Sequence, residues 1–550
     1  MLGSAAMELF ELTVALLAFA LLLSAVAHRL AVPYPSLLVI GGLVIGFIPN
    51  APAVRIDPQL ALALFLPPIL FDSAYSASWR DLRDNWKPIL LLSVGLILAT
   101  AFAVAAVVHW MIPDMPWAIA IALGAIVAPP DAAAASAVLQ RLHIPRRITT
   151  ILEAESLLND ATALILYKFA VVAAVTGSFS LQDASVNFVF VAVGGVALGF
   201  VCALVLLFLS RRLEDPITII LIGFVAVAAA FLIADRLQLS GVLTVVAMGV
   251  TFFWRVPAIN RPEVRLAGFP IWESIVYLLN VLGFVLIGLQ LRPIVQELDP
   301  NWPLLRLLEL GFAMVATMIV VRIVWVMFYN SVVRAKNAVH GVNAPAHFML
   351  PTWQGGVVIS WAGMRGLVSI VTALALPLTT ANGEPFPYRD LLLGLAFAAV
   401  FGTLVFQGLT LGPLIRLLRI SDSGSNEREI NLARSEAATA AIAAIDQLAE
   451  TPGLPRNTLD DVRSEYITRL QEISQDRERG VTDDDLRAAI RLAAIEAERA
   501  TVLRMRKGGL IGDDAEIELT RDLDLIETSI KRARGDTPVS WLDAARPEKT

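Results

Sequence analysis

Apolar residues fill the first 420 positions in long runs broken by short polar clusters. A helix needs about 20 such residues to cross the hydrocarbon of a bilayer. By that criterion the pattern predicts thirteen membrane segments, at roughly 7–30, 33–50, 59–75, 88–111, 117–139, 149–176, 186–211, 216–235, 239–253, 272–292, 306–330, 350–377 and 390–418. The flank of the first, MLGSAAMELFE, carries glutamates and no early positive charge, so the segment reads as a span rather than a cleaved leader. After Ile420 the pattern changes to amphipathic helical spacing over 427–450, 457–479, 483–507 and 513–534. In the third of these, Leu486, Ile490, Ala493, Ala494 and Ala497 follow the helical period, and Asp483 to Asp485 sit favourably at its start. Pro452, Pro455, Gly508 and Gly509 supply the breaks.

Composition sharpens this division. The chain has 550 residues, 57% hydrophobic and 17% charged, and a mean hydropathy of +0.69, which excludes a string of soluble domains. Its net charge of −6 averages two unlike regions. Residues 1–420 hold 24 basic and 22 acidic side chains, and residues 421–550 hold 19 and 27. The expected organisation is therefore a membrane domain over 1–420 and an acidic, helical, soluble tail over 421–550. A single cysteine, Cys202, excludes a disulfide scaffold and a cysteine zinc cluster, and five scattered histidines without HExxH argue against a zinc enzyme. No cofactor and no nucleic-acid partner are expected.

Lys and Arg near the segment ends divide 16 to 5 between the two sides. By the positive-inside rule this places the N-terminus outside and the tail in the cytoplasm. Three basic residues, Lys168, Arg322 and Arg365, fall within spans.

Ionisable groups inside a membrane are costly and usually face a cavity or a partner. The densest cluster is Asp131, Glu153, Glu155, Asn159 and Asp160. Pro129 and Pro130 remove two backbone donors in mid-segment and push their predecessors out of the α region, so the helix should break just before Asp131. Broken backbone survives in lipid only where it lines a cavity. The next segment reads as continuous helix. At about 100° per residue, Ser156 shares a face with Asp160, and Glu155 shares one with Asn159. These are oxygen-bearing groups, suited to a hard alkali cation. Arg365, flanked by Gly363 and Gly366, marks a second candidate interruption and needs a carboxylate partner, for which Glu155 is the candidate. Lys168 and Arg322 read as structural residues that snorkel toward an interface.

Seven strings in order, FLPPILFDSAY (65–75), GAIVAPPD (124–131), ESLLND (155–160), SGVLTVVAMG (240–249), FVLIGLQL (284–291), WAGMRGLVS (361–369) and FGTLVFQGLTLGPLIRLL (401–418), make residues 10–420 resemble the monovalent cation:proton antiporter-1 family. The resemblance implies an all-α fold of two inverted repeats with crossing interrupted helices, a homodimer through a separate dimerisation domain, and exchange of Na+ (or K+ or Li+) for H+ across the inner, plasma membrane. It also assigns the essential aspartate to Asp160, its asparagine partner to Asn159, the cation-site glutamate and hydroxyl to Glu155 and Ser156, the interrupted-helix aspartate to Asp131, and the arginine paired with the glutamate to Arg365. Two departures bear on selectivity. The chain has Pro130-Asp131-Ala132 where relatives often have Thr-Asp-Pro or Ser-Asp-Pro, leaving only the Pro130 carbonyl as a ligand there. It also has Asp72 where many relatives have a glutamate.

The residues themselves support a simple exchange logic. A buried carboxylate favours its protonated form and a bound cation favours the ionised one, so Asp160 cannot comfortably hold both. Asn159 cannot titrate and a paired Glu155 carries nothing, which leaves one proton for one monovalent cation. Asp131 is expected to hold the amides of an interrupted helix. A membrane sensor or scaffold signalling through the tail is the alternative of another class; it predicts that deleting 421–550 abolishes function while Asp160→Asn is tolerated. An intramembrane hydrolase using Glu155 and Asp160 lacks a nucleophile, base and orienter set.

Overall fold

The computed structural model describes residues 2–534 apart from position 31 and the segments 49–56, 77–81, 84, 140–143, 178–180, 214, 256–261, 297–301, 341–351, 381–382, 421–424, 450–454, 476–482 and 508–512. The chain divides into two compact units, Met1–Ser423 and Gly424–Thr550. Among the described residues both are helical, and the one β feature is an isolated bridge between Thr379 and Pro385.

The first unit runs α1 (Leu2–Arg29), α2 (Tyr34–Gly46), α3 (Pro58–Ser76), α4 (Trp86–Met111), α5 (Trp117–Val127), α6 (Ala132–Leu139), α7 (Arg146–Thr176), α8 (Leu181–Arg212), α9 (Pro216–Arg236), α10 (Gly241–Arg255), α11 (Pro262–Leu289), α12 (Leu291–Gln296), α13 (Leu304–His340), α14 (Trp353–Trp361), α15 (Leu367–Leu374) and α16 (Arg389–Leu417). Among the described residues, eight of its helices are long and apolar enough to cross a membrane, accompanied by three shorter apolar ones, α2, α5 and α10. The helices fall within or near the predicted segments, but 117–139 and 350–377 each hold two helices, α11 begins ten residues before position 272 and α13 continues ten beyond position 330. Length in the hydrocarbon limits a span but does not end a helix, which continues for as long as its polar residues can be solvated.

Two large apolar clusters, and a small third of Ile97, Ala101, Ala128 and Ala163, hold this unit. One gathers Leu123 and Ile126 of α5, Phe284 of α11, Met314 and Met318 of α13, and Leu395 and Val400 of α16. The other packs Leu66, Phe71 and Ala74 of α3 against Leu206, Val227, Val245, Met248 and Trp272. Outward faces remain apolar, as with Val189, Phe190 and Val193 of α8, since lipid rather than water is the surrounding solvent. Helices α2 and α11 touch backbone to backbone, because a Cβ on Gly42 would collide with the Val285 carbonyl and one on Gly288 with the Val39 carbonyl.

Two continuous helices, α4 and α16, depart from regularity where polar groups gather, and α3 does not. Pro67 and Pro68 lie inside α3 without interrupting it. A π turn at Leu91–Leu96 in α4 carries Ser93, and another at Thr403–Gln407 in α16 carries Thr403. Such turns free backbone groups and are frequent at functional sites.

The second unit contains two helical pairs, α17 (Ser425–Leu448) on α18 (Arg456–Gln475), and α19 (Asp483–Lys507) on α20 (Asp513–Arg534). Their limits lie close to the amphipathic stretches of the sequence. Arg463 pairs with Asp446 at 2.8 Å, and Arg499 pairs with Asp524 at 2.5 Å and Glu527 at 2.6 Å. These arginines are largely exposed, so the pairs orient the helices more than they stabilise them.

Candidate functional site

Two helix breaks meet inside the first unit. Helix α5 stops at Val127 and α6 resumes at Ala132, while α14 stops at Trp361 and α15 resumes at Leu367. The Asp131 N–H donates to the Met364 carbonyl at 2.6 Å, joining one break to the other.

Each break leaves amides at the start of its second half and carbonyls at the end of its first, with partial charges of about +0.5 and −0.5. Asp131 answers the positive ends. Its Oδ1 accepts the Ala133 N–H at 2.9 Å, and its carboxylate also takes backbone N–H groups of Ala134 and of Leu367, the first residue of α15. A Cβ on Gly366 would collide with this carboxylate, so the approach needs glycine there. Arg365 answers the negative ends. Its Nε donates to the Val127 carbonyl at 2.9 Å, its Nη2 reaches the Ala128 carbonyl at 3.5 Å, and its Nη1 bonds the Gly363 carbonyl. The Arg365 N–H is in turn accepted by Thr403 Oγ1 at 3.0 Å, from the π turn of α16.

Helix α7 passes the crossing with four polar residues on successive sides. Asn159 is fully buried, and its Nδ2 donates to the Pro130 carbonyl at 2.8 Å. Ser156 and Asp160 face a cavity of about 50 Å³, which Pro129, Pro130, Asp131 and Ser369 also line. That volume is enough for a few water molecules. Further round the rim lie Phe65, Leu66 and Ser73 of α3 and Asn280 of α11. Asp72 of α3 is not among the lining residues.

The expected pairing of Glu155 with Arg365 is corrected. Glu155 is held by Arg322, whose Nη1 meets Oε1 at 2.5 Å and whose Nη2 meets Oε2 at 2.8 Å. Both side chains are buried, at 2% and 1% exposure. Arg322 stands at the centre of the 37-residue α13, too deep to snorkel, and its Nε also donates to the Ile359 carbonyl at 3.0 Å. The physical reason is that Arg365 is consumed by the carbonyls of the crossing, while α13 brings a second guanidinium to the open face of α7. Glu155 is likewise not placed on the cavity: with both oxygens on Arg322 it is a poor ligand for a cation, contrary to the sequence expectation. Ser93 Oγ, from the π turn of α4, fixes the backbone there by donating to the Glu155 carbonyl at 3.1 Å. Lys168 and Glu153 are exposed.

The structure thus brings together Pro130, Asp131, Ser156, Asn159, Asp160 and Arg365, and sets Glu155 apart. Arg322 and Ser369 are additions that sequence reasoning missed. The depth of Arg322 within its span was a usable signal; Ser369 had none beyond its nearness to the second break.

A family of transmembrane sodium/hydrogen exchangers matches residues 14–417. An uncharacterized Na(+)/H(+) exchanger of Mycobacterium tuberculosis is 32% identical over 532 residues, covering 94% of this chain and 95% of that protein. A sodium, potassium, lithium and rubidium/H(+) antiporter of Bacillus pumilus is 32% identical over 421 residues, covering 74% of this chain and 61% of that one. In fold, the chain is similar to the sodium proton antiporter MjNhaP1 of Methanocaldococcus jannaschii, with a TM-score of 0.58 at 17% identity, over 75% of this chain and 99% of the other.

Proposed function

We propose, for a chain that belongs to the sodium/hydrogen exchanger family, that it exchanges Na+ for H+ one for one across the plasma membrane, by competition of the two ions for Asp160. The observation that carries this reading is the cavity at the helix crossing, which Asp160, Ser156, Pro130 and Asp131 line together. Asp160 is 6% exposed and has no basic side chain in ion-pairing contact among the described residues. A buried carboxylate in that position is neutralised either by a proton or by a cation, and not by both.

The cation ligands in this reading are Asp160, Ser156 and the Pro130 carbonyl. The carbonyl keeps a second lone pair after accepting from Asn159, so the amide orients it without blocking it. Asp131 serves the half-helix amides and Arg365 the half-helix carbonyls, which keeps the crossing closed to unneutralised charge. Glu155 is balanced by Arg322 and moves nothing. With one mobile carboxylate, the exchange carries no net charge, so the pH and cation gradients drive it and the membrane potential does not. The arginine and lysine bias supports a cytoplasmic tail, and the family resemblance supports a homodimer.

K+ is the second reading for the substrate. It rests on the relative from Bacillus pumilus, whose name includes potassium.

The test is recovery of an imposed pH gradient in everted vesicles on adding Na+, K+ or Li+, for the wild type and Asp160→Asn. The wild type is expected to respond to at least one cation and the variant to none. Undiminished exchange in the variant would reject Asp160 as the shared site.

A further inference from the structure

We propose that Ser369 is a further ligand of the transported cation and helps decide which alkali ion the cavity prefers. The proposal rests on the exchange reading above and adds to it a residue from the second interrupted helix.

Ser369 sits in the first turn of α15, is 1% exposed, and lines the cavity together with Asp131, Ser156 and Asp160. Its Oγ has no hydrogen-bond partner. That is unusual for a buried hydroxyl in a helix, which normally donates to the carbonyl four residues back. Ser360 does so in α14, reaching the Gly356 carbonyl at 2.8 Å, and Thr162 does so in α7, reaching the Leu158 carbonyl at 3.2 Å. For Ser369 the residue four back is Arg365, which lies in the break, before α15 begins. Thr372 Oγ1 of the same helix is also without a partner, but of the two hydroxyls it is Ser369 that lines the cavity, where an occupant can take it up.

The chemistry matches the ion. A hydroxyl oxygen is hard and neutral, so it adds a ligand for an alkali cation without adding a charge to the exchange count. It also answers a deficit at the first break. Pro130 offers a carbonyl but no side-chain oxygen, so the oxygen missing from one break is supplied by the other across the crossing. The four ligands would then come from three separate segments: Pro130 from the first break, Ser156 and Asp160 from α7, and Ser369 from α15. Because the α7 and α15 oxygens sit on different helices, their separation is set by packing, and packing selects among ions of different radius.

The experiment compares Ser369→Ala, Ser369→Thr and Ser369→Cys with the wild type and Asp160→Asn. The full chain is used in everted vesicles, and apparent KM is measured separately for Li+, Na+ and K+, and for Tl+ as a softer probe of the size of K+. Loss of a ligand to a charged ion is expected to raise KM for the preferred cation about tenfold in Ser369→Ala, with a smaller effect on maximal rate. The ranking of the three cations should change, because a ligand contributes unequally to ions of different size. Ser369→Thr, which keeps the oxygen, is expected to stay near wild type. Ser369→Cys, which keeps the volume but offers a softer atom, is expected to shift preference from K+ toward Tl+, an ion of similar size.

Unchanged KM values and ranking in Ser369→Ala, with Asp160→Asn inactive, would overturn this proposal and leave the exchange reading standing. An equal loss for every cation with the ranking intact would also overturn it, as a packing effect. Exchange persisting in Asp160→Asn would instead remove the reading beneath both. If the alanine variant does not reach the membrane, the threonine and cysteine variants decide: the same ranking in both refutes the ligand role, and a Tl+ shift confined to cysteine supports it.

Discussion

Asp131 donates its backbone N–H to the carbonyl of Met364 at 2.6 Å, so the broken point of one helix is hydrogen-bonded to the broken point of another. Around that bond the charges divide by function: a carboxylate on the amide ends and a guanidinium, Arg365, on the carbonyl ends. Each ion is stabilised by the half-helix dipole it faces, and neither is available to the cavity as a free charge. That leaves Asp160 as the titrating group in the proposed exchange.

Gly366 allows Asp131 its place, since any side chain there would strike the carboxylate. Gly366→Ala is expected to lower the exchange rate at least about tenfold, because a displacement near 1 Å at a site is enough for losses of that order. Rate per molecule, normalised to protein in the membrane, is the measurement. Wild-type rates would show that the carboxylate can be moved without consequence.

Removing one member of the buried Glu155–Arg322 pair leaves the other unneutralised, which costs about 3–5 kcal/mol. Glu155→Gln and Arg322→Met should each lower thermal stability in detergent by that order, and the double variant should recover most of it. A double-mutant cycle is expected to give a larger coupling for Glu155 with Arg322 than for Glu155 with Arg365. The reverse order would restore the pairing that the sequence led us to expect.

Electroneutral exchange predicts indifference to voltage. In proteoliposomes free of any K+ gradient, a potential of about 100 mV imposed by the diffusion of a permeant anion supplies roughly 2.3 kcal/mol per net charge moved. With Na+ gradients held equal, the steady-state pH difference should not change when that potential is imposed. A shift would mean that a second group, Asp131 above all, titrates in the cycle.

At the start of α9, outside the membrane segment, Asp215 accepts from Thr218 N–H at 2.7 Å and from Thr218 Oγ1 at 2.5 Å. The Thr218 hydroxyl and backbone bonds hold its carboxyl below the usual carboxylate range. A lowered folded pKa means stabilisation that is present above the unfolded pKa and lost as pH falls through the folded one. Asp215→Ala should therefore lower Tm at neutral pH, with the gap closing in acid. A gap that persisted or widened below the carboxylate range would contradict the capping role.

What could be read from the chain alone followed from short-range rules. Hydropathy located apolar helices, eight of them long enough to cross a membrane among the described residues, and consecutive prolines followed by Asp131 marked a helix break. Gly363 and Gly366 around Arg365 marked the second break for the same local reason. Yet Pro67 and Pro68 form the same dipeptide inside an unbroken α3. The difference is tertiary: at the first break Asn159, Met364 and Arg365 accept or supply the bonds that the broken helix forgoes. Likewise, the periodicity of α7 placed Ser156 beside Asp160, but it could not say which of two arginines would reach Glu155. That choice depends on where α13 is set by its packing on α4, α14 and α16, which carries Arg322 to a glutamate 167 residues away in sequence. Helical period and backbone propensity act over a few residues, whereas the identity of a buried charge's partner, and the freedom of the Ser369 hydroxyl, are set only when distant helices have taken their places.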